Sequence, residues 1–325
     1  MRSIVSMDTC QLELTNACRN SCSNCTRFAG HRKPYFMTLD FFKKAVDSME
    51  QYPRMTGFQG GEPLLHPDFE AMCNYAHEKI PPERLGLWTT LPEGYERYRE
   101  VICRTFKHIF INDHSRPDIF HHPVLVGIEE QVKHRDLMWT MIDQCWAQES
   151  WSASIYPNGA WFCEIAGSMS MLFQEECKEK GWKGWDVEPG WWWRIPADYG
   201  EQMERFCPRC GFPAKLRRRS SQEGIDDVSP LNMERIKPFS KKLAKGKCIT
   251  YDFEDHSRDM MVNAPLARYK DMDYRSAIAK RYGIHLIIND QRFWTPILLK
   301  NWEPGKGGEC SPSRTALDIL METRQ

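Results

Sequence analysis

Three cysteines fall within eight residues, Cys18-Arg19-Asn20-Ser21-Cys22-Ser23-Asn24-Cys25, in a C-x3-C-x2-C spacing. Clustered thiolates bind zinc or iron–sulfur clusters. A four-iron cluster takes one ligand per iron, so three cysteines leave one iron open to a further molecule. Structural zinc takes four ligands, and that reading needs a fourth donor from elsewhere. A second set, Cys163, Cys177, Cys207 and Cys210, is spaced C-x13-C-x29-C-x2-C. Four thiolates can fully ligate either a zinc ion or a cluster. Between the two sets lies Phe58-Gln59-Gly60-Gly61-Glu62-Pro63. Two adjacent glycines let backbone approach a neighbour or ligand closely, and Pro63 stiffens the exit; alone, the motif is also consistent with a tight turn.

These groups need elements to position them. Cys10-Gln11-Leu12-Glu13-Leu14-Thr15 alternates apolar and polar residues and reads as a first strand, so the three-cysteine loop leaves its C-terminal end. In an α/β barrel that is the face on which active sites are built. A helix capped by Thr38 follows, with Phe42, Ala45, Val46 and Met49 on one face. The glycine motif ends a second strand, and Asp68 opens a helix burying Phe69, Met72, Cys73 and Ala76. Leu85–Thr90, Lys107–Ile111 and Pro123–Ile128 read as strands three to five, with a helix through Tyr95, Tyr98, Val101 and Ile102. The interval from Cys25 to Cys163 is too short for a complete barrel of about 250 residues. The expected fold is therefore α/β, a partial TIM-type barrel of five or six units over residues 1–150. A hairpin with Asn158-Gly159 at its turn leads into Cys163.

The C-x3-C-x2-C loop after a first strand, followed one βα unit later by GGEP, resembles the signature of radical S-adenosylmethionine (SAM) enzymes. The resemblance implies a [4Fe-4S] cluster on Cys18, Cys22 and Cys25 that binds SAM, with the backbone of Gly60, Gly61, Glu62 and Pro63 holding the methionyl amine. It makes Thr89, Thr90 and Asn112, at strand ends, candidates for contacts to the SAM ribose and adenine; each also reads as a plain strand-end cap. Many members carry an aromatic residue before the third cysteine, where this chain has Asn24. The hairpin, the distant Cys177 and the closing Cys207-Pro208-Arg209-Cys210 are similar to the twitch form of the SPASM domain. That implies one auxiliary [4Fe-4S] cluster held by residues 151–215, against the alternative of a zinc hairpin. The short barrel with one auxiliary cluster is similar to the aminocyclitol dehydrogenase of butirosin biosynthesis. Residues 216–235, with Lys215, Arg217, Arg218 and Arg219 leading in, read as a linker. Residues 236–325 form an unrecognised α/β segment with a helix at Ser276–Arg281 and a strand at Ile284–Ile288.

Function then narrows to radical chemistry on a small molecule. The leading expectation is an oxidoreductase acting on a sugar, aminocyclitol or nucleoside, with the auxiliary cluster as electron acceptor and an external donor such as flavodoxin or ferredoxin. Epimerisation is the first alternative and needs a hydrogen donor. Of the cysteines outside the two sets (Cys10, Cys73, Cys103, Cys145, Cys248 and Cys310), Cys248 is the candidate, while Cys73 and Cys103 read as packing. Peptide modification is the second alternative, although a first strand starting near residue 8 leaves no room for an N-terminal peptide-recognition domain. Lys plus Arg and Asp plus Glu are 44 each, a formal net charge of zero, which argues against a nucleic-acid binder. No apolar run reaches the roughly 18 residues of a membrane span, and the first eight residues turn polar too soon for a signal peptide. The chain is expected in the cytoplasm. Nine of its 12 tryptophans lie between Trp139 and Trp193, and packing explains them better than sugar stacking.

Overall fold

The computed structural model describes residues 1–112, 114, 119–150, 152–252 and 285–288. The first half alternates strand and helix: β1 (Thr9–Glu13), α1 (Leu39–Met49), β2 (Met55–Gln59), α2 (Phe69–Lys79), β3 (Leu85–Thr89), α3 (Arg99–Thr105) and β4 (His108–Ile111). A short β5 (Phe120–His121) precedes α4 (Ile128–Gln131), α5 (Arg135–Asp143) and α6 (Trp146–Ser150). The hairpin β6 (Ala153–Tyr156) and β7 (Gly159–Trp161) leads into α7 (Glu164–Leu172), α8 (Gln174–Glu179) and α9 (Gly200–Phe206). Then come β8 (Arg219–Ser220), β9 (Asp226–Val228), α10 (Pro230–Ile236), α11 (Lys241–Ala244), β10 (Cys248–Thr250) and β11 (His285–Ile288).

The main sheet runs β11-β4-β3-β2-β1-β6-β7. All neighbouring pairs are parallel except the closing hairpin of β6 and β7. This is the partial, parallel α/β barrel sheet expected from the alternation of elements. The helices form for legible reasons. Thr38 accepts the Phe41 N–H at the start of α1, and the 42, 45, 46, 49 spacing puts one apolar stripe on the sheet. Phe58 of β2 lies edge-on to Phe42 at 5.2 Å and to Phe106 at 5.0 Å, an arrangement worth about 1 kcal/mol per pair beyond the area buried.

Three expectations need correction. Pro123–Ile128 is not a strand: the chain turns there and α4 begins at Ile128. Its apolar residues are buried, but its backbone is satisfied from a distance, with the Val124 carbonyl accepting Gly211 N–H and the Leu125 carbonyl accepting Ser229 N–H. A short apolar run records burial without recording period. The hairpin expected in a separate domain extends the main sheet, with β6 parallel to β1 (Cys10↔Ala153, Leu12↔Ile155) because β6 is buried on both faces. The stretch 216–235 is no linker: β8 pairs with β5, β9 pairs with β10, and Asp226, Asp227, Val228 and Ser229 are buried. The expected strand near 284–288 is β11, beside β4. The helix at 276–281 and Cys310 lie outside the described residues.

Candidate functional site

The three-cysteine loop leaves the C-terminal end of β1 and is tied at its stem to the glycine motif. Leu14 N–H donates to the Gln59 carbonyl at 2.9 Å, Gly61 N–H to Thr15 O at 2.7 Å and Glu62 N–H to Ala17 O at 2.7 Å. A Cβ on Gly60 would stand 2.2 Å from Thr15 O, and one on Gly61 2.4 Å from Ala17 O. The glycines are thus demanded by the close approach of this turn to the stem of the cysteine loop. Glu62 is fully buried. Its carboxylate accepts Leu64 N–H (3.2 Å), Thr89 Oγ1 (2.7 Å), Thr90 N–H (2.7 Å) and Thr90 Oγ1 (2.6 Å). Burial raises its pKa against the pull of these hydrogen bonds. Thr89 and Thr90 therefore point their hydroxyls at Glu62. Pro63 opens a short 3-10 turn capped by Glu62, and Asn112 N–H donates to Thr89 O at 2.9 Å.

Cys18, Cys22 and Cys25 are all half-buried. Burial pushes the Cys18 and Cys22 thiols up to about 12; the neighbouring Cys25 sulfur adds to both, and Cys18 adds to Cys22. A positively charged iron core would take the place of the protons on these thiols. Among the described residues, the three-donor group gathered within 4.8 Å is His31, Asp226 and Cys248, and no cysteine trio is that tight. Sulfurs around a single zinc at 2.3 Å stand about 3.8 Å apart.

Asn24, at the position where many radical SAM enzymes carry an aromatic residue, has a positive φ of 50°, a region asparagine tolerates. Its side chain exchanges two hydrogen bonds with Asp227: Nδ2 to Oδ2 at 2.9 Å, and Asp227 N–H to Oδ1 at 2.8 Å. Asn24 N–H donates to Asp226 Oδ1 at 2.5 Å, and Ser23 N–H to Ser221 O at 2.9 Å. Lys242 Nζ bridges the Cys22 carbonyl (2.9 Å) and Asp226 Oδ1 (2.7 Å). The segment expected to be a linker, together with residues 240–248 after it, is thus the clamp on the cysteine loop. Cys248 sits in this clamp on β10, buried beside Asp226, with its thiol pushed up to about 12 by burial and by that carboxylate.

The second set assembles differently from its sequence spacing. Cys145, Cys163, Cys207 and Cys210 line one cavity of about 30 Å³, together with Phe162, Phe206, Phe212 and Met169. Burial raises the Cys163, Cys207 and Cys210 thiols, and Cys145 acts on all three. Cys177 is not among the lining residues. It is buried on α8, where burial pushes its thiol up to about 11, Glu176 adds to the rise, and Arg209, Arg205 and Lys180 oppose it. Helix α8 contributes Glu176 instead. Arg209, between Cys207 and Cys210, donates to Glu176 twice, at 2.6 and 2.9 Å, and these bonds bring the Glu176 carboxyl down to about 2. The pair holds the C-x2-C turn in place. Cys145 carried no spacing signal: it lies between α5 and α6, well ahead of the hairpin.

One further buried group escaped sequence reasoning. Arg27 of the cysteine loop pairs with Glu13 at the end of β1 (2.8 Å) and with Glu164 of α7 (3.0 Å). Burial pushes Glu13 up to about 7 despite Arg27, and Glu164 adds to the shift. The alternation that marked β1 as a strand was the available hint, since a charged residue stood at its functional end.

The profile of the radical SAM superfamily matches residues 12–112, which contain Cys18, Cys22, Cys25 and Gly60–Pro63. An S-adenosylmethionine-dependent nucleotide dehydratase from Selenomonas ruminantium is 33% identical over 70 residues, covering 21% of this chain and 25% of that protein. The matched stretch thus spans a quarter of the curated relative. A structure of BtrN in complex with AdoMet and 2-DOIA aligns at 12% identity with a TM-score of 0.39, over 62% of this chain and 88% of that one. A second BtrN structure, in an open conformation, aligns at 13% identity with a TM-score of 0.38, over 63% and 88%. Among the described residues no helix is long and apolar enough to cross a membrane. The stretch that matches the radical SAM superfamily, residues 12–112, thus includes both the three-cysteine loop and the glycine turn hydrogen-bonded to its stem.

Proposed function

We propose that the protein is a radical SAM oxidoreductase that oxidises a small hydroxylated substrate of the sugar, aminocyclitol or nucleoside type. Cys18, Cys22 and Cys25 would hold a [4Fe-4S] cluster with one iron free for SAM, and the turn Gly60–Pro63 would border the SAM site. When bound, the cluster and SAM supply a carbon-centred radical able to take a hydrogen atom from substrate. The chain's own part is positional. The Gly61 and Glu62 amides fix the loop stem, Glu62 fixes Thr89 and Thr90, and the clamp fixes Asn24. Residues 1–150 supply β1 to β4 of the barrel sheet, and residues 151–215 extend that sheet and supply most of an auxiliary site.

The observation that carries the oxidative reading is the second thiol set. Converting a carbinol to a carbonyl removes a hydrogen atom, a proton and one more electron, and that electron needs an acceptor. A cavity in which Cys145, Cys163, Cys207 and Cys210 can supply every ligand suits a resident electron acceptor, since no position is left for substrate. An external one-electron donor would complete the cycle. A redox-neutral dehydration is the second reading, favoured by the relative named a nucleotide dehydratase. The deciding experiment is metal analysis with EPR on anaerobically reconstituted protein. About eight irons, dropping to about four in a Cys18/Cys22/Cys25→Ala variant, supports oxidation. About four irons dropping to none, with zinc or nothing in the cavity, points to the redox-neutral reading. The epimerase alternative would require Cys248 to reach substrate, and its burial against Asp226 speaks against that.

A further inference from the structure

The segment that clamps the cysteine loop holds a buried charge, Lys242. Lys242 retains only 3% of its side-chain exposure, as Asp226 retains 4%. Its ammonium lies 2.7 Å from Asp226 Oδ1 and 2.9 Å from the carbonyl of Cys22. Desolvating an ammonium costs several kcal/mol, and a buried ion pair is often no more stabilising than well-packed apolar residues of the same size. Holding two elements together does not by itself call for a lysine here.

A metal site is the first alternative, because His31 Nε2, Asp226 and Cys248 bring nitrogen, oxygen and sulfur within 4.8 Å. The donors are already committed. Asp226 Oδ2 is bonded to His31 Nε2 at 2.7 Å, Oδ1 takes Lys242 Nζ and Asn24 N–H, and His31 Nδ1 meets Ser240 Oγ at 2.8 Å. The ammonium occupies the place of a cation. The next charged groups outward are Arg219, Asp227 and Glu223, with Arg219 bonded to Asp227 at 2.9 and 2.7 Å and to Glu223 at 2.5 Å. His121 makes its bond to Ser23 O at 2.7 Å.

We propose that Lys242 is a positioning residue that raises the reduction potential of the group held by Cys18, Cys22 and Cys25, by fixing a desolvated positive charge against the backbone of Cys22. A cluster on three thiolates becomes more negative when it accepts an electron, so a nearby fixed cation favours the reduced form. In a buried setting that field is weakly screened by salt. Asp226 sets the size of the effect, since it holds the ammonium and opposes its charge. This rests on the assignment of the cluster to the three-cysteine loop.

The test is an EPR-monitored redox titration of the full chain, reading the signal that added SAM perturbs, with iron content measured on each sample. Lys242→Met moves the midpoint potential negative, Asp226→Asn moves it positive, and Lys242→Arg stays near wild type. Lys241→Met, on the exposed neighbour, leaves it unchanged. Opposite shifts in the first two variants are the signature of charge, because loosening of the loop would move both the same way. Equal potentials at full iron content, shifts of one sign, or iron lost from Met, Asn and Arg variants alike would each overturn the role of Lys242. Iron that survives replacement of Cys18, Cys22 and Cys25 would overturn the cluster assignment itself, and the role of Lys242 with it.

Discussion

The two thiol sets invert each other's design. The first is local: three cysteines on one eight-residue loop, half-buried, with glycine-motif amides tying its stem on one side and a clamp from residues 219–248 on the other. The second is global: a cysteine between two helices, one after a hairpin and two from a C-x2-C turn, meeting in an aromatic-lined cavity. The first leaves a ligand short, and half-burial keeps it reachable. The second offers four thiols in one pocket beside Phe162, Phe206 and Phe212. A centre that must meet a second molecule is built from a short loop held at both ends. One that exchanges only electrons can be buried at the junction of several elements.

The sharpest way to break that comparison is to exchange cysteines. Cys145→Ala is expected to remove the iron of the second site, about four atoms per chain, and to abolish oxidative turnover, whereas Cys177→Ala should retain both. If Cys177→Ala empties the site and Cys145→Ala does not, the sequence spacing outranks the geometry. Next in size is the stem of the first loop. Gly61→Ala places a methyl 2.4 Å from Ala17 O, and about 3 kcal/mol of stability should disappear in denaturant unfolding, together with SAM-dependent signal changes. Gly94→Ala, whose Cβ would meet nothing within 4 Å, tests strain alone at φ +83° and should cost about 1 kcal/mol.

A smaller effect separates the anchors of the two sites. Glu176→Gln removes the carboxylate that Arg209 grips, and about 1–3 kcal/mol should be lost as a buried guanidinium loses its partner. The second-site EPR signal should broaden while the first stays unchanged. The smallest is a pH effect. Glu13 has an ordinary value of 4.5 and is held at about 7 in the fold, chiefly by burial. The fold therefore favours its protonated form. That contribution to stability is complete below pH 4.5 and declines as pH rises through about 7. Unfolding free energy measured from pH 4.5 to 7.5 should slope downward in wild type and flatten in Glu13→Gln. A slope unchanged by the substitution would assign the dependence to other groups.

Legibility followed the same division. Helix α1 was readable residue by residue, from the Thr38 cap to the 42, 45, 46, 49 stripe, because cap and stripe are local. The link between the three-cysteine loop and GGEP was readable because one βα unit separates them. Pro123–Ile128 misled because its burial is supplied by Gly211, Ser229 and Asn232, nearly a hundred residues away. The stretch 216–235 misled because its polar residues have partners that composition does not record: Ser221 and Ile225 bond to Ser23, and Asp226 and Asp227 bond to Asn24.

The amino-acid sequence alone determined the radical SAM signature, the parallel α/β sheet and the existence of two thiol sets, since each rests on spacing along the chain. Tertiary structure decided which four cysteines meet, that the hairpin lies beside β1, and that a buried lysine presses on the loop of Cys22. The physical reason is range. Period, capping and ligand spacing are encoded within a few residues, while the partner of a buried charge or thiol is chosen by how separate elements pack.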